Sequence, residues 1–145
     1  MNDFLARYAL YLKAVAKANE MNKAIVFDAL AAAGLTLVEV EFDGEGDSGQ
    51  IEGVYAYAGD ARTELPESFL TLYQAAQNKG EPRTTNVSLH DAIETLCYDY
   101  LAQTHGGWEN NDGAYGTFEF DIRKRSIHLD FNERFSDSTN YSHDF

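Results

Sequence analysis

The chain has 145 residues, of which 44% are hydrophobic and 13% aromatic, and a formal net charge of −13. That length and apolar content suit a single folded domain burying roughly two thirds of its unfolded surface, and they exclude a disordered acidic tail. The lone cysteine, Cys97, excludes an internal disulfide and a multi-cysteine zinc site, which points to a reducing, cytoplasmic setting.

The first 30 residues carry four bases (Arg7, Lys13, Lys17 and Lys23) against three acids, and the remainder seven bases against 21 acids. Nearly all the negative charge therefore lies beyond residue 30. Such a field opposes direct binding to nucleic-acid phosphates and favours a partner protein with a basic surface, or a metal ion. No segment reads as a signal peptide or a membrane span.

In chain order, Phe4, Leu5, Tyr8, Tyr11, Leu12 and Val15 recur at spacings of three and four, so residues 1–34 read as helical with one apolar stripe. Gly34 is a natural C-terminal cap, and the Asn19–Asn22 stretch is expected to split the region into two helices. Val38, Val40 and Phe42 then alternate with Glu39, Glu41 and Asp43, which predicts a half-buried strand with an acidic outer face. Ile51–Ala58 reads as its hairpin partner, residues 59–67 as a loop, and Ser68–Gln77 as a short helix or a strand. Asn78–Asn86 reads as an exposed connector.

Ser88, with Asp91 three residues on, predicts a capped helix whose apolar side holds Leu89, Ile93, Leu96, Cys97, Tyr100 and Leu101. Cys97 is expected to be a buried packing residue. Phe118, Phe120 and Ile122 alternate, Arg123–Ser126 turns, and Ile127, Leu129 and Phe131 alternate back. That turn places Asp121 opposite His128 and Glu119 opposite Asp130. Residues 136–145 read as a loosely held polar tail that Tyr141 and Phe145 could dock. The expected class is α+β in one domain: N-terminal helices, a sheet-plus-helix core over residues 35–135 with an antiparallel sheet of about four or five strands, and a further amphipathic helix on that sheet.

Chemistry concentrates in two loops. In Gly44–Gln50, carboxylates alternate with glycines, so a sharply turning backbone can bring oxygen ligands together; Asp43, Glu45, Asp47 and, from the second loop, Asp112 are the candidate ligands for Ca2+ or Mg2+. The calcium-loop pattern is incomplete, with Ser48 where a glycine is expected and Val54 where a Glu is expected. The second loop, His105–Gly116, sets the only tryptophan among polar groups. His105, Trp108, Glu109, Asn110, Asn111 and Asp112 are its candidate ligand- or partner-binding residues, against the alternative that Trp108 plugs the core and the rest form a turn. Glu39 and Glu41 are candidate partner-binding residues on the acidic strand.

Gly44–Glu52, Glu94–Leu101, His105–Gly116 and Leu129–Phe135 resemble the signature stretches of an uncharacterised bacterial, plasmid and phage family of unknown function. The resemblance spans about residues 35–145 and implies a mobile-element context, but brings no activity or catalytic residue with it. Two functions follow as expectations. The favoured one is a non-enzymatic acidic protein that engages a basic or nucleic-acid-binding partner protein as an inhibitor or regulator. The other is a divalent-cation-dependent binding or hydrolytic domain built on the two loops.

Overall fold

A computed structural model describes residues 2–45, 48–75, 83–110, 113–134 and 138–145. Helix α1 (Asn2–Ala32) leads into strands β1 (Leu37–Glu45), β2 (Ser48–Ala58), β3 (Ala61–Thr63), β4 (Phe69–Gln74) and β5 (Arg83–Ser88). Helix α2 (Leu89–Thr104) and strands β6 (Ala114–Asp121), β7 (Ser126–Arg134) and β8 (Ser138–Asp144) complete the chain. The fold is α+β as expected, but the sheet is larger than four or five strands. Six antiparallel strands run in the order β3-β2-β1-β6-β7-β8, and β4 and β5 form a separate hairpin.

The alternation in β1, β6 and β7 is what makes this sheet one-sided. Val38, Val40, Phe42, Phe118, Phe120, Ile127, Leu129 and Phe131 are buried, and α1 and α2 pack on them through Phe27, Leu30, Leu89, Ile93, Leu96 and Leu101. Cys97 is fully buried in this core. Ser88 caps α2, its Oγ accepting from the Asp91 amide at 3.0 Å.

Several expectations are corrected. α1 is continuous through Asn19–Asn22, because Asn22 is buried and its amide is satisfied outside the helix: Nδ2 donates to Tyr73 O (2.9 Å) and Oδ1 accepts from Tyr73 N (2.8 Å). The apolar stripe on the first half of α1 only grazes the core. Phe4, Leu5, Tyr8 and Leu12 are exposed, Tyr11 and Val15 are half-buried over the groove beside Leu72, and fully buried positions begin only at Ala18. Part of the 59–67 loop pairs with β2 as β3, and Ser68–Gln77 contains a strand rather than a helix. The described end of the connector, from Arg83, pairs with β4.

From Ser138 the tail is not loose. β8 joins the sheet beside β7 and turns Tyr141, His143 and Phe145 onto the core side, where Phe145 stacks on Tyr100 with centroids 4.5 Å apart. The β6–β7 turn spans Ile122–Arg125 instead of Arg123–Ser126. The register therefore moves by two: Glu119 faces His128, Asp121 faces Ser126, and Thr117 faces Asp130. An even shift leaves every side chain on its expected face.

Candidate functional site

The two loops singled out in the sequence meet. Trp108 follows the end of α2 and lies across the β1–β2 hairpin, edge-on to Phe42 with ring centroids 5.4 Å apart. A Cβ on Gly44 would come within 2.6 Å of its Cζ3, and one on Gly49 within 2.6 Å of its Cη2 and 2.8 Å of Glu109 Cβ. The hairpin glycines thus make room for the indole, and the half-buried Trp108 acts as a plug between the loops. Asp43 does not offer a free carboxylate here: Arg134 donates to its Oδ1 at 2.7 Å and to Gly44 O at 3.2 Å, while lying over the Tyr115 ring. Among the other candidates, Asp47, Asn111, Asp112 and the Glu45 side chain lie outside the described residues. Asn110 is held by its backbone, its amide donating to Gly107 O and its carbonyl accepting from Gly113 N, each at 3.0 Å.

His105 ends α2, its amide donating to Leu101 O at 2.8 Å. Its ring lies flat on Phe131 (centroids 3.7 Å apart, planes 5° apart), and its Nε2 stands 2.8 Å from Nε2 of His143 on β8. Desolvation by burial holds the His105 pKa below its ordinary value, His143 adds to that effect, and Glu133 opposes it. A neutral imidazole is what a hydrogen bond between two ring nitrogens requires, since one must keep a lone pair. Beside them opens a cleft of about 250 Å3 lined by His105, Gly107, Trp108, Asn110, Glu133 and Arg134, among others. Sequence reasoning missed His143, Glu133 and Arg134. The alternation Tyr141-Ser142-His143-Asp144-Phe145 was the available signal for His143.

A second arrangement occupies the other side of the large sheet, opposite the helices. Along β1, β6, β7 and β8, Glu39 faces Glu119, Glu119 faces His128, and His128 faces Asp144. Next to this row, Glu41 faces Thr117, which faces Asp130. Glu41, Glu119 and Asp144 are exposed, while Glu39 is half-buried beside Tyr55. The sequence placed two carboxylates face to face on this surface as Glu119 and Asp130; the directly opposed pair is Glu39 and Glu119. His128 is bracketed rather than free, its Nδ1 2.6 Å from Asp144 Oδ1 and its Nε2 2.8 Å from Ser142 Oγ. This chain has the connectivity of an acyl-transfer relay, but Asp144 is 83% exposed and the relay stands in water, where a serine gains little activation. His90, Asp91 and Glu94 bring ligand atoms within 4.8 Å of one another on the first turns of α2, with His90 and Asp91 in solvent.

No helix among the described residues is long and apolar enough to cross a membrane. No curated protein and no solved structure matches the chain. A model for a family of unknown function, DUF6878, matches residues 18–145, and the chain belongs to that family. The match reaches further toward the N-terminus than the resemblance about residues 35–145 implied, and it begins at the point where α1 becomes buried.

Proposed function

We propose that this member of the DUF6878 family is a non-enzymatic interaction protein that presents the acidic face of its large sheet to a basic protein partner. The carrying observation is the Glu39–Glu119 pair. Like charges directly opposite each other on neighbouring strands oppose pairing, and a sheet under selection for stability alone has no use for them. Glu41, Asp130 and Asp144 extend the same sign across the open face. A cationic surface docking there relieves the repulsion, so binding and folding draw on the same charges. A nucleic-acid-binding protein that this chain inhibits or regulates, in a mobile-element setting, is the partner class that fits such a surface.

The test is affinity capture from a host lysate with the wild-type protein and with Glu39→Lys/Glu119→Lys. The reading expects basic proteins that elute as salt rises to about 0.5 M, where charges are screened beyond a few ångströms, and that the charge-reversed protein fails to hold. Partners that resist salt and bind both forms equally would sink it.

A second reading, a divalent-cation-dependent binding or hydrolytic domain, draws on the meeting of the two loops at Trp108. The engagement of Asp43 by Arg134 leaves it a smaller oxygen set than the sequence suggested. Calorimetry with Ca2+, Mg2+ and Mn2+ tests it directly, and no heat at about 1 mM ion rejects it.

A further inference from the structure

We propose that the chain forms a symmetric dimer through α1, whose N-terminal half packs antiparallel against the same half of a second copy along the stripe Phe4, Leu5, Tyr8, Leu12 and Val15. The interface is independent of the acidic sheet face and lies on the helix side of the molecule.

The exposed stripe is what calls for a partner. Phe4 is 68% exposed, Leu5 66%, Tyr8 53% and Leu12 48%. At about 100° per residue these four lie on one side of α1, in line with Val15 and with the side that Asn22, Val26 and Leu30 bury farther along. The core-facing side of the helix thus continues past the core, as an apolar patch about 17 Å long from Phe4 to Val15. Ala9 and Ala16 border it on one side and Ala14 and Ala18 on the other, so a second helix can come close. Lys13 and Lys17 fall on the far side of the helix, away from the seam.

Charge selects a second copy as the occupant. Residues 1–30 hold four bases against three acids, and the rest of the chain seven bases against 21 acids. Two copies repel wherever their later residues approach, and α1 is where they can meet without that repulsion. The same charges set the direction. A parallel pair would crowd two acidic bodies together, because both lie on the stripe side of the helix, whereas an antiparallel pair puts them at opposite ends. Centred midway between Tyr8 and Leu12, the pair seats Tyr8 beside Leu12 of the second copy and Leu5 beside Val15 of the second copy, and the two-fold symmetry repeats both contacts. Phe4 then reaches the mouth of the groove that Val15, Ala18 and Leu72 line in the other copy. The four exposed side chains carry roughly 400 Å2 of apolar surface per copy. With the flanking atoms the pair buries about 1,200 Å2, the lower end of stable interfaces, so it dissociates at about micromolar concentration. Below that concentration the copies are single and the opening turns of α1 are unpartnered.

The untagged chain is followed by sedimentation equilibrium from about 1 to about 200 µM. The expected mass rises from 16.2 kDa toward twice that value, with a dissociation constant of about 1–50 µM that tightens as salt screens the acidic bodies from each other. Leu5→Glu and Tyr8→Glu are each expected to weaken the dimer at least about tenfold, by placing like charges at a dry seam. Leu10→Glu, at a site 63% exposed on the far side of α1, should leave it unchanged, as should Glu119→Gln on the sheet face. The substituted side chains are exposed, so helix content by circular dichroism should match the wild type. If a variant loses helix, cross-linking decides: Leu5→Cys mixed with Val15→Cys forms a disulfide across the pair on oxidation, and Leu5→Cys alone does not, with Cys97 buried out of reach. The proposal is overturned by a single chain at about 200 µM, by Leu10→Glu weakening the dimer as much as Leu5→Glu, or by Leu5→Cys cross-linking to itself.

Discussion

Asn22 and Tyr73 are joined by two hydrogen bonds in which the side-chain amide of a helix residue pairs with both main-chain groups of a strand residue. The amide does what a neighbouring strand would do, and it fastens α1 to the edge of the β4–β5 hairpin.

Replacing that amide leaves two main-chain groups without partners in a half-buried place. Asn22→Leu is expected to lower stability by about 2 kcal/mol or more, despite the better helix propensity of leucine. Urea unfolding should show a lower midpoint at an unchanged slope. An undiminished midpoint would mean that water replaces the amide without cost.

Gly44 and Gly49 accommodate the indole of Trp108, so an added methyl group has nowhere to go. Gly44→Ala should cost about 1–3 kcal/mol through overpacking. It should also shift the emission of the single tryptophan to longer wavelength. Trp108→Leu in the Gly44→Ala background should recover part of the loss, which a double-mutant cycle measures as coupling. Additive effects would remove the contact from the account.

Burial and His143 hold the His105 pKa below its unfolded value of 6.5. The folded state therefore binds fewer protons than the unfolded state between the two pKa values, and stability rises with pH in that window. The contribution is complete above pH 6.5 and is lost as pH falls from there through the folded pKa. The melting temperature should drop on acidification from pH 7 toward pH 5. His105→Phe, which keeps the stack on Phe131, should flatten that slope. An equal slope in both proteins would place the proton uptake elsewhere.

Asp99 lines the groove between α1, the β4–β5 hairpin and α2, and desolvation raises its carboxyl pKa. Here the sign is reversed. The contribution is most favourable below the unfolded pKa of 3.8 and is lost as pH rises through the folded value. Asp99→Asn should raise the melting temperature at pH 7 by about 2 °C, a modest gain because solvent still reaches and screens the group. The gain should shrink toward pH 4. A variant that melts lower at pH 7 would show that the charge has a partner.

The opposed carboxylates on the sheet give a prediction about stability alone. Glu119→Gln should stabilise the protein by a few tenths of a kcal/mol to about 1 kcal/mol by removing the repulsion from Glu39. Addition of salt should narrow the difference. If the variant is less stable at low salt, the pair is not repulsive.

The strands β1, β6 and β7 were legible because Val38-Glu39-Val40-Glu41-Phe42 and its counterparts state the period of two outright. α2 was legible because Ser88 and Asp91 mark its start. The continuity of α1 was not, because the partner that satisfies Asn22 lies 51 residues away and no local signal announces it. β8 was hidden by its polar composition; its inward rings are Tyr141 and His143, with Phe145 just beyond it, and they matter through Tyr100 and His105, residues of a distant helix and its end. The acidic strand was visible in Glu39 and Glu41, but the Glu39–Glu119 pairing depends on β1 lying beside β6, which sequence order does not reveal. The loops stood out in the sequence for their composition. That Trp108 joins them is a matter of tertiary packing.

The 31-residue α1 is about 46 Å long at about 1.5 Å per residue, and its opening turns, from Asp3 through Leu10, are exposed along their whole length. Held in a single copy by hydrogen bonds within one helix and little else, those turns should open far more often than the part anchored by Val26, Phe27 and Leu30. The consequence is kinetic. Amide protons at the start of α1 should exchange with solvent quickly while those beyond Asn22 persist, and trypsin should reach Arg7 first and Lys23 last of the helix's cleavage sites. Brief digestion should accordingly trim the chain toward a resistant body that begins near where the DUF6878 match begins, at residue 18.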